Sequence, residues 1–181
     1  MLAFALIMTL LAACGAPLEP GRGKNEGSQN EIHVIGGGEK TVPHSVLRYS
    51  RSYAEETKQW LSADGAGAFE SAAEYLQKNE DKIPAVIPEN VEIDMSSNGT
   101  LGKVEIYRKA DTAETRAYDL KNTITLGETD IFADAKAAFS VLTEGTYYIA
   151  LYVDWKGDFI ETDNGGQHEA SGYVYYFKIT V

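Results

Sequence analysis

Leu142–Val181 reads LTEGTYYIALYVDWKGDFIETDNGGQHEASGYVYYFKITV, two long strands with an excursion between them. In the first, Tyr147, Ile149, Leu151, Val153 and Trp155 fall on one face, and Thr146, Tyr148, Ala150, Tyr152 and Asp154 on the other. The second repeats the alternation. Tyr173, Tyr175, Phe177, Ile179 and Val181 share a face, and Val174, Tyr176, Lys178 and Thr180 share the opposite one. Successive side chains of a strand point to opposite faces, so this period in Tyr, Val and Ile predicts an antiparallel pair whose odd-numbered residues turn inward. A lone hairpin is marginal in water, so that face needs a second layer.

The whole chain bounds the rest. Its 181 residues suffice for one domain of ordinary size. Sixteen basic against twenty-seven acidic residues give a net charge of −11, which repels nucleic-acid phosphates and anionic membrane surfaces. Cys14 is the only cysteine, which leaves no disulfide framework and no cysteine-based metal site.

Leu2 to Ala13 is an uncharged apolar run, too short to span a bilayer and of the length of a signal-peptide core. It ends in Leu11-Ala12-Ala13-Cys14-Gly15, which resembles the lipobox of bacterial lipoproteins. The resemblance implies a signal peptide over residues 1–13, cleavage before Cys14 and a diacylglycerol on its sulfur. It also implies an extracytoplasmic protein held to the membrane by lipid. Two or more acyl chains hold a protein stably where one does not. No Lys or Arg precedes the apolar run; a start upstream of Met1 would supply one.

From the lipidated Cys14 to Asn30, Gly, Pro, Ser, Asn and charged residues predict a flexible linker. Such a chain reaches roughly 20–25 Å, enough to lift a domain off the membrane. The domain then occupies residues 31–181. Glu31 to Ile35 reads as a strand and Gly36-Gly37-Gly38 as a turn, since the triplet lacks the Lys-Ser/Thr of a phosphate loop. Ser45 to Tyr53 favours a strand, followed by irregular chain through Trp60, although Ser52 with Glu55 also fits a helix cap. One amphipathic helix is predicted over about residues 65–79, capped by Ser62 or Asp64, with Phe69, Ala72, Ala73 and Leu76 on one side.

Beyond Pro88 the predicted elements are short strands: Val91 to Asp94, Gly102 to Lys109, Thr115 to Leu120, Thr123 to Leu126 and Ala137 to Leu142. Asn98-Gly99 marks a turn. In Gly145-Thr146-Tyr147-Tyr148-Ile149 the spacing is similar to the tyrosine corner of immunoglobulin-like domains, with Tyr147 as the corner residue and Ile149 in the place of the cysteine. The resemblance implies a mainly β fold, an immunoglobulin-like antiparallel β-sandwich with the helix packed on it. The C-terminal half also resembles the terminal domain of Gram-positive envelope lipoproteins, which implies no activity.

Candidate sites are few. Asp154, Asp158, Glu161 and Asp163 offer hard oxygens suited to Ca²⁺, but their spacing is not that of a calcium loop and Lys156 sits among them. A solvated acidic loop is the plainer reading. Tyr148, Tyr152 and Tyr176, with Val174, are predicted on the face away from the core, a surface suited to a sugar or a protein. The plainer alternative is that the helix covers them. His33, His44 and His168 lie far apart with no nucleophile motif beside them, and no carboxylate pair stands out, so no enzyme and no cofactor is expected. The expected function is a lipid-anchored envelope module that binds a protein or glycan partner. The alternatives are a structural lipoprotein without a small ligand and a cryptic hydrolase.

Overall fold

A computed structural model describes residues 30–65, 71–109, 118–127 and 130–181. The lipobox, Cys14, nearly all of the linker, Phe69 and the chain around Thr115 lie outside these residues. The described chain is mainly β. Ten strands run β1 (Ile32–Gly36), β2 (Glu39–Thr41), β3 (His44–Ala54), β4 (Gln59–Asp64), β5 (Ala85–Val86), β6 (Glu92–Met95), β7 (Gly99–Lys109), β8 (Tyr118–Thr125), β9 (Thr146–Ile160) and β10 (Gln167–Thr180). Two α-helices join them, α1 (Ala72–Asn79) and α2 (Ile131–Ser140). A small sheet has the order β2-β1-β6, and a seven-stranded sheet has the order β4-β3-β10-β9-β7-β8, with short β5 added parallel to β10.

The C-terminal hairpin is the centre of the large sheet. Tyr175 pairs with Leu151, Phe177 with Ile149 and Ile179 with Tyr147, so the odd-numbered side chains share a face as predicted. Phe177, Ile149, Leu151 and Val153 are fully buried there, against Ile32 and Val34 of β1 and Ile131, Ala135 and Phe139 of α2. The two antiparallel sheets thus close a sandwich over this core, with α2 beside the small sheet. The Tyr147 hydroxyl meets Thr143 Oγ1 at 3.1 Å, at the position read as a tyrosine corner.

The predicted helix is present but shorter at its start. Ser71 caps it in a reciprocal capping box with Glu74, while Ser62 and Asp64, the caps expected, belong to β4. Ala72 and Leu76 bury its apolar side against the large sheet. A single helical turn of the tighter 3-10 type follows at Glu80–Lys82.

A second helix was expected as a strand at Ala137 to Leu142. The Asp130 side chain accepts hydrogen bonds from Phe132 N and Ala133 N, starting α2, and Ile131, Ala135 and Phe139 recur at helical spacing. Four alanines between Ile131 and Ser140 favour the helix further. Two further readings change. Gln59–Asp64, expected to be irregular as far as Trp60, pairs with β3 as a hairpin, and Thr123 to Leu126 belongs largely to β8. The triple glycine is a turn, with Gly37 and Gly38 at φ of 58° and 82°.

Candidate functional site

The tyrosines predicted to stand exposed are buried. Tyr148, Tyr152 and Tyr176 are 2 %, 9 % and 2 % exposed, because α1 and the turn after it cover this face of the sheet. Tyr75 of α1 stacks on Tyr176 with ring centroids 4.8 Å apart, and Tyr118 meets Tyr148 edge-on at 5.0 Å. An open tyrosine surface at these three positions is therefore corrected to a second core.

Their hydroxyls supply two polar networks. Glu80 accepts from Tyr148 Oη at 2.5 Å and from Lys109 Nζ at 2.6 Å. Glu105 accepts from Tyr152 Oη at 2.7 Å, Tyr107 Oη at 2.8 Å and Lys103 Nζ at 2.8 Å. Burial pushes the Glu80 carboxyl up, but hydrogen bonds from Lys109, Tyr148 and Tyr118 outweigh it and hold it at about 2. Glu105 behaves alike: burial opposes ionisation, and Lys103, Tyr152 and Tyr107 more than offset it. Both carboxylates are ionised and saturated with donors, the opposite of what a general acid needs.

The proposed Ca²⁺ ligands do not come together. Asp154 Oδ1 accepts from Tyr49 Oη at 3.0 Å and from Arg48 Nη1 at 3.4 Å. Asp158 lies four residues further along the same strand, about 13 Å away, and Glu161 and Asp163 sit in the turn beyond. Among the described residues no group of three or more acidic, histidine or cysteine side chains could hold a metal ion.

The open surface lies elsewhere on the same side of the large sheet, past the end of α1. Directly paired residues of neighbouring strands share a face. The pairs Tyr53 with Trp60, Arg51 with Ser62 and Tyr49 with Asp64 join β3 to β4. Arg51 with Ala170 and Tyr49 with Gly172 join β3 to β10, while His168 with Phe159, Ala170 with Lys156 and Gly172 with Asp154 join β10 to β9. These registers lay out a grid. At its outer end stand two pairs, Trp60 with Tyr53 and His168 with Phe159, and the β3–β10 register ends one step inward at Arg51 and Ala170.

Local contacts hold those pairs in place. Tyr53 and Trp60 have ring centroids 5.3 Å apart, and Phe159 and His168 are 5.0 Å apart. Arg51 lies over the Trp60 ring at 5.4 Å and donates to the His168 carbonyl at 3.0 Å, while Tyr53 N–H donates to Glu169 at 2.9 Å. The two hairpins are thereby tied side by side. Phe159 remains 57 % exposed.

The innermost row depends on a glycine. A Cβ at Gly172 would stand 2.3 Å from Tyr49 Cε1 and 2.9 Å from Asp154 Oδ1. Its absence lets the Tyr49 ring lie across β10 and reach Asp154. Burial first, then the hydrogen bond to Asp154, raises the Tyr49 phenol and keeps its proton in place. Past this row Arg48 and Asp154 form the mouth of a cleft of about 520 Å³, continued by Tyr152, Lys103, Glu105 and Ser71. Lys103 Nζ stands 3.9 Å above the Tyr152 ring.

Sequence reasoning reached Asp154 for a different purpose and passed over Trp60, Tyr53, Tyr49 and Phe159. The alternation of Tyr49, Arg51 and Tyr53 is a usable signal, whereas the expectation of irregular chain through Trp60 hides the strand that carries it. No family model matches the chain, and neither a curated protein nor a solved structure does.

Proposed function

We propose that this chain is a lipid-anchored module of the cell envelope, tethered through Cys14, that binds an envelope component and performs no chemistry on it. The observation that carries the reading is the aromatic grid. Trp60 with Tyr53 and Phe159 with His168 stand at one end of a four-strand surface, fixed by ring contacts and by hydrogen bonds between the strands. Aromatic side chains with little rotamer entropy to lose make effective contact surface when the scaffold already holds them. The lipobox resemblance and the polar linker support the extracytoplasmic setting. Saturation of Glu80 and Glu105 by their donors supports binding rather than catalysis.

Co-sedimentation of the full-length protein with washed cell envelopes tests this. The Cys14→Ala protein, which lacks the lipid, is expected to pellet with envelopes, and the same protein carrying Trp60→Ala and Phe159→Ala as well is expected to stay in solution. Equal pelleting of both proteins, at matched thermal stability, would remove the grid as the binding surface.

A further inference from the structure

We propose that the ligand of this face is an uncharged polysaccharide strand, which lies along the grid and enters the cleft at Arg48 and Asp154. This rests on the binding-module reading above and names its ligand class. Three observations point to it.

The first is shape. The face is a flat sheet surface with rings at its outer end, and a flat pyranose ring stacks on such a surface through its C–H face. A protein hot spot instead sits in a fully desolvated pocket. At the aromatic end Phe159 stands more than half exposed.

The second is the polar chemistry between the rings. Asp154 and Arg48 are paired with one another, planar, and partly exposed, with side-chain exposures of 51 % and 30 %. Asp154 Oδ1 already accepts from Tyr49 and Arg48, and the partly exposed carboxylate and guanidinium edges are the atoms a sugar hydroxyl would meet. Tyr49, laid across Gly172, fixes Asp154 in that position.

The third is charge. Along the grid and the cleft Arg51, Lys156, Arg48 and Lys103 stand against Asp64, Asp154 and Glu105, a near balance of +1 in a chain whose net charge is −11. A polyanion approaching this face is repelled by the rest of the protein, and two of the cations it would meet are already paired, Arg48 with Asp154 and Lys103 with Glu105. A neutral chain meets neither penalty. The path runs from the aromatic end at His168 to Gly172 beside Asp154, four residues of β10 or about 13 Å, enough for two or three sugar units in contact at once.

Soluble chito- and cello-oligosaccharides are the probes, titrated into the full-length protein and followed by tryptophan fluorescence. Trp60 lies on the path, whereas Trp155 is 1 % exposed and serves as an internal bystander. At least one neutral oligosaccharide is expected to give a saturable change, and polygalacturonate none. Phe159→Ala and Tyr53→Ala are each expected to weaken binding about tenfold, and Asp154→Asn to weaken it by a similar factor. Unfolding midpoints of the variants separate lost contact from lost fold. No saturation by either oligosaccharide, or binding of polygalacturonate at equal strength, overturns the inference. If envelope pelleting depends on Trp60 and Phe159 yet is abolished by protease treatment of the envelopes, the ligand is a protein: the glycan inference falls and the module reading stands. Pelleting indifferent to both rings removes the two together.

Discussion

The phenolic hydroxyl of Tyr148 donates to Glu80 Oε1 at 2.5 Å, tying the middle of the sheet to the turn that follows α1 across 68 positions of sequence. Lys109 closes the same network from β7. Removing one partner leaves the others buried without a match, so Tyr148→Phe and Glu80→Gln are each expected to cost about 1–3 kcal/mol. The double variant is expected to cost less than their sum, because the residues share one network. Urea midpoints of the single and double variants check this; strict additivity would show the contact carries no coupling.

Glu80 also sets an acid limb. Its carboxyl lies at about 2 in the folded chain against an ordinary 4.5, a depressed value. The stabilisation is therefore present above the ordinary value and lost as pH falls through about 2, contributing no more than roughly 3 kcal/mol. With the Glu80 side chain 22 % exposed, solvent screening lowers that ceiling. Stability measured from about pH 6 down to pH 2 is expected to fall more steeply in the wild type than in Glu80→Gln. Parallel curves would show that Glu80 is not the group responsible.

Buried phenols give a second pH signature. Burial first, then hydrogen bonds and negative charge from Glu80 and Glu105, raises Tyr148, Tyr152 and Tyr107, and burial raises Tyr176. Tyr175 is pushed up to about 12, chiefly by burial. In an alkaline titration of phenolate absorbance these groups are expected to stay silent to about pH 11 and then to appear together with unfolding. A smooth titration of every tyrosine near 10 would contradict the second core.

That second core is where sequence and structure part. Alternation in Thr146–Trp155 and Tyr173–Val181 was enough to set the register and the odd-numbered core, because both signals are local. It could not say whether the even-numbered face meets water. That depends on where a helix more than sixty residues upstream docks, and Leu76 and Ile83 decide it through tertiary contact. Tyrosine is ambiguous by nature, with an apolar ring that suits a core and a hydroxyl that suits a surface. Glu80 and Glu105 satisfy that hydroxyl from positions that no spacing rule connects to β9. α2 was legible: Asp130 before Ile131, Ala135 and Phe139 is a cap followed by a helical stripe, hidden by reading Ala137 to Leu142 in isolation. The grid was half legible, since Tyr49, Arg51 and Tyr53 alternate, but its membership follows from strand pairings that join residues as far apart as Tyr49 and Gly172, 123 positions.

Gly172 tests how the grid is built. Gly172→Ala places a methyl group against the Tyr49 ring and Asp154, and is expected to cost about 1–3 kcal/mol and to weaken binding at the face. Gly127→Ala is the control, because its Cβ would meet only Thr125 O, at an ordinary 3.9 Å, away from the face. A change within about 0.5 kcal/mol is expected there. Indifference to Gly172→Ala would show that Tyr49 need not lie across β10.

Hydrogen–deuterium exchange on the full-length protein, with and without washed envelopes, addresses the binding face most directly. Added protection is expected along β3, β4 and the ends of β9 and β10 that carry Tyr53, Trp60, Phe159 and His168. Protection confined to α2 and β8 instead, or none at any strand, would contradict binding at the aromatic end.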